Sequence, residues 1–332
     1  MRPSYSMSNH ASPRQAFWQG SPSGRSNDNT CSSTPAHFPL FKFAPGASGC
    51  ATLKKISLHG GNRFVIRLPD DVHQTIESGF QRALSIPGFL AENEIRFLGA
   101  LAACTPAPGA IVEIGSFKGK STVMLATVAA RYGLGHVVAI DPHAGLSYIS
   151  SDVPDQDPTF NDFLASLKAA GVEKNVEVRR AFSRDVAAEW NRPIRLLWID
   201  GDHSYRGCRE DFDFFSPYLG EGAVIALHDS LNAFEGPIRV FVEEILRSDR
   251  FGPSGFVHSI AWSQYRPADG ARFRGQRRKL ERPATRLLPY VANDASPTGL
   301  RKMAFKLNRS LVPRRPLSPE DLTTLLSAPG TS

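Results

Sequence analysis

An α/β domain with a doubly wound, mostly parallel sheet and helices on both faces is the fold class that the sequence predicts. Three observations predict it. Between about residues 70 and 270, short apolar runs alternate with helix-length segments, as they do where a parallel sheet is covered on both sides. Glycines follow the first strand of that alternating stretch. Acids follow the second, fourth and fifth strands, at the carboxyl ends where open sheets of this kind bind ligands. The stretch of about 200 residues fits one such domain.

The elements read in order as follows. Residues 71–84 and 91–104 are helices, the second with acids in its first turn (Ala91-Glu-Asn-Glu), which suit a helix N-terminus. Strands are expected at 110–114, 136–140, 176–179, 195–199 and 222–227. Helices at 120–132, 159–171, 184–190, 204–218 and 236–247 separate and follow them, and 256–264 closes the series as a strand or strand pair.

The flanks differ from this centre. The chain has 332 residues and a formal net charge of +7, but residues 1–62 are net +5, residues 63–270 net −7 and residues 271–332 net +9. An acidic centre argues against a core that binds nucleic acid. Residues 1–62 include a Ser-, Pro-, Asn- and Gly-rich stretch and are expected to be a disordered extension; 63–270 is the domain; 271–332 is expected to be a basic tail. Within the tail, 300–311 reads as a basic amphipathic helix. Leu300, Met303, Ala304, Leu307 and Leu311 share a face, and Arg301, Lys302, Lys306 and Arg309 lie away from it. Docking on the chain's own domain is the plainer use of such a helix, and recruitment to an anionic membrane or a protein partner the other. No apolar run is long enough to span a membrane, and no secretory signal is expected. Cys31, Cys50, Cys104 and Cys208 show no metal-ligand spacing and read as free thiols in a reducing, cytoplasmic compartment.

The glycine loop Ile111-Val-Glu-Ile-Gly-Ser-Phe-Lys-Gly-Lys-Ser121 admits three ligand readings. A dinucleotide fingerprint requires glycine where Phe117 stands. A phosphate-cradling P-loop needs four residues between its glycines, and Gly115 and Gly119 have three. The third reading is a tight loop for a small cationic nucleoside, with backbone approach at Gly115 and Gly119 and negative charge from Glu113. Asp141, at the tip of the second strand, stands where a ribose diol is held in doubly wound folds. Asp200, Asp202, His203, His228 and Asp229 stand at the fourth and fifth tips. Carboxylates there suit a hard divalent cation, and a histidine among them shifts the preference towards manganese. The competing reading makes Asp202 or His203 a cap of the helix that follows, and His228-Asp229 a turn.

Together these motifs resemble a class I S-adenosylmethionine-dependent methyltransferase with a Rossmann-like fold. They are similar to methyltransferase family 24, the group of macrocin-type and other sugar or natural-product O-methyltransferases. Val112-Glu-Ile-Gly-Ser-Phe-Lys-Gly-Lys-Ser121, Ile140-Asp-Pro-His143, Ala181-Phe-Ser183, Trp198-Ile-Asp-Gly-Asp-His-Ser-Tyr205 and His228-Asp-Ser230 carry the resemblance, over about residues 85–262. It implies that Glu113, Gly115, Ser116, Gly119 and Ser121 line the cofactor site, that Asp141 holds the ribose, and that Phe182 and Ser183 lie near the adenine. It implies a Mg2+ or Mn2+ site at Asp200, His228 and Asp229, although His228 departs from the usual acid there. Asp202 would be the base, with His203 its rival, and the acceptor a small hydroxylated molecule. The loop 144–158 and helices 72–104 would shape the acceptor pocket. A P-loop-like nucleotide-binding protein, a non-catalytic cofactor-binding relative and a homo-oligomer stay open at this point.

Overall fold

The chain first forms an antiparallel hairpin, β1 (Lys54–Leu58) and β2 (Gly61–Val65), then two helices, α1 (Val72–Leu84) and α2 (Glu92–Cys104). Strands and helices then alternate: β3 (Ala110–Ile114), α3 (Lys120–Tyr132), β4 (Val137–Ile140), α4 (Pro158–Ala170), β5 (Val176–Arg179) and α5 (Ser183–Ala187). There follow β6 (Ile194–Ile199), α6 (Tyr205–Phe215), β7 (Leu219–Leu227), α7 (Glu235–Val240), β8 (Phe251–Val257) and β9 (Ile260–Tyr265). The computed structural model describes residues 54–58, 61–144 and 158–328. Most of the segment expected to be disordered, and residues 145–157 of the loop expected at the acceptor pocket, lie outside the described residues, as do Cys31 and Cys50. Cys104 and Cys208 are free and buried. The hairpin at 54–65 moves the start of ordered structure ahead of residue 63.

β3 to β9 form a seven-stranded sheet in the order β5-β4-β3-β6-β7-β9-β8. The first five in that order run parallel, and β9 and β8 add an antiparallel edge. Every residue of β4 and β6 is buried, as strands covered on both faces require. The chain leaves β3 to build β4 and β5 on one side, then returns to build β6 and β7 on the other. The order therefore reverses between β3 and β6, and a crevice opens at the carboxyl ends of these two strands.

The expected boundary at residue 270 does not mark the edge of the packed unit. Helices α8 (Arg274–Thr285), α9 (Leu288–Val291), α10 (Gly299–Ser310) and α11 (Pro319–Ser327) follow it. Leu280, Ala284, Leu287, Val291, Phe305 and Val312 join the core on one side of the sheet, and Leu322 and Leu326 that on the other. The charge run that suggested a tail conceals Arg277, which is fully buried. Its guanidinium donates to Leu246 O (3.1 Å), Gly270 O (2.7 Å) and Phe251 O, and to Asp249 Oδ1 (3.1 Å). The residue ties α8 to the β8 edge through these carbonyls. Arg277→Ala is expected to cost about 3 kcal/mol in a urea denaturation curve, because it strands buried acceptors. A midpoint unchanged from wild type would contradict this role.

Candidate active site at the strand tips

A cavity of about 490 Å³ occupies the crevice. Gly115, Ser116, Ser121 and Asp141 line one side, and Asp200, Asp202, His203, His228 and Asp229 the other. The fold thus brings together most of the residues singled out from the sequence. Gly119, Phe182 and Ser183 lie outside this wall. Gly119 instead caps α3 with φ 93°, and the Ser183 hydroxyl bonds the buried Asp211.

Glycine at 115 is dictated by close approach. Its φ is 87°, and a Cβ there would sit 2.1 Å from the carbonyl oxygen of Asp200. What approaches Gly115 so closely is therefore the tip of β6, where the sequence pointed to a ligand. The loop's amides are also spoken for. Ser116 N (2.9 Å) and Phe117 N (2.8 Å) donate to Asp141 Oδ2, and His143 N donates to Oδ1 (2.6 Å). A P-loop needs such amides free to cradle phosphate, so the P-loop reading fails on this geometry. Asp141 has one acceptor site left on Oδ1 for a ribose hydroxyl, fewer than the pair expected.

Glu113 departs from expectation. It is fully buried beneath the loop and outside the cavity wall. Thr122 Oγ1 donates to its Oε2 at 2.5 Å, Ser121 also bonds it, and Oε1 has no partner. Burial, reinforced by Asp200 and Asp141, pushes its carboxyl up to about 8. At neutral pH it is protonated and supplies no fixed negative charge.

The opposite wall is a charged cluster. Asp200 Oδ1 lies 3.0 Å from His228 Nδ1 and 3.4 Å from His203 Nε2, and Asp229 Oδ2 lies 3.8 Å from the latter. Asp229 has a φ of 54°, and its Oδ1 lies 3.5 Å from His228 Nδ1. Glu94, from α2, completes the set: His228 Nε2 faces its Oε2 at 3.4 Å. Glu94 is itself held by Ala91 N (2.9 Å), Ser259 N (3.0 Å), His258 Nδ1 (2.9 Å) and the Ser259 hydroxyl. Burial opposes ionisation of His228 and Glu94, but their attraction wins: Glu94 is held well below the usual carboxylate range, and His228, also facing Asp200, is pushed up to about 11. Asp202 behaves differently. It is exposed, and its Oδ1 accepts from Ser204 N (2.8 Å) at the start of α6, as a capping turn would. His203 points into the cluster, its ring 4.6 Å from that of Phe234.

The rim carries three exposed aromatics, Phe89, Phe117 and Phe234; the first two rings lie 5.9 Å apart. Phe89 and Glu94 were missed in the sequence. Glu94 looked like an ordinary first-turn acid, and nothing in its surroundings pointed to a partner 134 positions away.

Comparison with known proteins gives a family match and similar solved structures. Residues 112–230 match a family described as a methyltransferase domain, a span from the glycine loop through His228-Asp-Ser230. Among solved structures, the chain is similar to the O-methyltransferase from Bacillus cereus in complex with SAH, at 19% identity, over 57% of this chain and 90% of that one, with a TM-score of 0.41. It is also similar to the O-methyltransferase TomG from Streptomyces achromogenes in complex with SAM, at 18% identity, over 61% and 92%, with a TM-score of 0.42. The sheet order and the glycine loop packed against the β6 tip accompany the matched span, and residues 112–230 form a methyltransferase domain.

Proposed function

We propose that the protein transfers the methyl group of S-adenosylmethionine to a hydroxyl of a small acceptor, a sugar or another natural product. The observation that carries this reading is a single cavity with the glycine loop on one wall and the Asp200–His203–His228 cluster on the other. The aromatic rim formed by Phe89, Phe117 and Phe234 suits an acceptor with a flat or apolar body. His203, its Nε2 braced by Asp200, takes the hydroxyl proton on its other ring nitrogen, the acceptor oxygen bonds the methyl carbon, and the carbon–sulfur bond breaks to leave neutral S-adenosylhomocysteine. Positioning supplies much of the acceleration in such an in-line displacement. Deprotonation by His203 makes the oxygen a competent nucleophile.

A second reading rests on a separate observation. Asp200, His203 and His228 each offer a ligand atom, all within 4.8 Å of one another. Glu94 beyond His228 is the outer carboxylate that metal-bound histidines commonly have. These residues would hold a divalent ion, with Asp229 alongside, and two imidazoles favour manganese over magnesium. Such an ion, when bound, would polarise the acceptor oxygen.

Calorimetry tests both readings. S-adenosylhomocysteine is expected to bind and ATP not to; binding of ATP alone would overturn the methyltransfer proposal. A heat of Mn2+ binding that disappears in His228→Gln supports the metal reading. Turnover that survives thorough chelation removes it and leaves His203 as the proton acceptor.

A further inference from the structure

We propose that α10 docks this protein on an anionic lipid surface. The helix is held to its own domain by one face only. Phe305 is buried against Tyr290 (ring centroids 6.4 Å apart), Asn308 Nδ2 donates to the Tyr290 hydroxyl at 3.3 Å, and Val312 is buried just beyond the helix end. The other face presents Leu300 (82% exposed), Met303 (67%), Leu307 (66%) and Leu311 (54%). At 3.6 residues per turn these four fall within an arc of about 80°, a continuous stripe. Leaving four large apolar side chains in water side by side is unfavourable, and such patches mark contact surfaces.

Charge identifies the occupant. Between Asp294 and Glu320 the chain has no acidic residue and six basic ones: Arg301, Lys302, Lys306, Arg309, Arg314 and Arg315. Lys302 and Lys306 are exposed beside the stripe, Arg314 and Arg315 are exposed just past it, and Arg301 is turned back to donate to Pro289 O at 2.7 Å. An apolar stripe edged with cations matches the boundary between lipid headgroups and acyl chains. A second copy of the chain would bring the same cations face to face. The N-terminal residues 1–62 are themselves net +5 and repel the surface they would cover. A protein groove that encloses a basic helix would need the face that Phe305 already occupies, whereas a planar membrane needs only the free one. No helix among the described residues is long and apolar enough to cross a membrane, so the contact is interfacial.

The test is sedimentation of the full chain with vesicles of phosphatidylcholine alone and of phosphatidylcholine with phosphatidylserine. Pelleting is expected only with the anionic vesicles, and weakens as salt rises. Replacing Leu300, Met303, Leu307 and Leu311 with Ser is expected to abolish it. These side chains are exposed, so the fold survives, as unchanged S-adenosylhomocysteine binding and circular dichroism will report. Lys302→Glu and Lys306→Glu are expected to weaken it by at least roughly fivefold per cation removed. Absence of binding to anionic vesicles at low salt overturns the proposal, as does binding that the four-serine variant retains. A sedimentation-velocity dimer that the same variant dissolves, without vesicle binding, assigns the face to a second copy instead.

Discussion

Replacing His203 with Gln is expected to lower kcat/KM by about 10²–10⁴-fold, the usual contribution of a positioned general base, while S-adenosylhomocysteine still binds. The expectation follows from what the site does with its two rival bases. Asp202 Oδ1 is occupied by Ser204 N in a turn at the start of α6, and its side chain packs against Gly207, where an added Cβ would come within 2.4 Å of Asp202 Oδ2. His203 is braced by Asp200 and Asp229 from behind and by the Phe234 ring alongside, with its side chain 28% exposed at the cavity. Burial alone would lower its pKa, but the bond to Asp200 and the field of Asp200 and Asp229 raise it above the ordinary 6.5. A base works only when unprotonated. Activity should therefore climb with pH and level off above that raised value, and this acid limb should vanish from the residual activity of His203→Gln. Asp202→Asn is expected to keep the limb and most of the rate. The reverse pattern, with the limb intact in His203→Gln and activity lost in Asp202→Asn, returns the proton to Asp202.

The parts of this molecule that the sequence revealed are those whose information is local. A buried parallel strand is a short apolar run, and the residue after it occupies the strand tip whatever happens elsewhere. That is why Gly115, Asp141, Asp200, His203, His228 and Asp229 could be assigned to one end of the sheet before any coordinates. Roles that depend on distant partners could not be read in this way. Glu94 matters because β7 and the β8–β9 turn bring His228, His258 and Ser259 to it. Asp141 turns its carboxylate to the loop amides because Phe117 takes a φ of 46° that its side chain does not advertise. Arg277 sits in a run of cations that reads as solvated, yet three backbone carbonyls at the β8 edge capture it. In α10 the sequence shows an amphipathic helix, but amphipathicity does not say which face turns inward. The fold buries Phe305 and leaves the leucine and methionine stripe outside.

Without cofactor, stability is expected to fall as pH rises from about 4.5 to about 8, and Glu113→Gln to remove most of that slope. Glu113 titrates from an ordinary 4.5 when unfolded to about 8 when folded. Between those values the unfolded chain has lost the proton and the native state still holds it. The native state thus binds more protons, and each pH unit favours unfolding further. Over the whole window this amounts to roughly 5 kcal/mol, at 1.36 kcal/mol per unit. Below 4.5 both states are protonated and the loss disappears; above about 8 both are ionised and the cost is constant. Gln preserves the shape and the acceptor for Thr122 without an ionisable proton, so urea midpoints of the variant should be nearly flat over this window, after allowance for other groups. Parallel slopes in variant and wild type would show that Glu113 is ionised in the empty protein. The same shift reaches the cofactor through Ser121, which touches Glu113 and lines the cavity. A sulfonium cation near this wall favours the carboxylate, so S-adenosylmethionine should release a proton on binding and neutral S-adenosylhomocysteine should release less. Calorimetry in buffers of different ionisation heat reads that difference, and it should vanish in Glu113→Gln. The negative charge that the sequence suggested at Glu113 is then made by the cofactor's arrival rather than kept waiting for it.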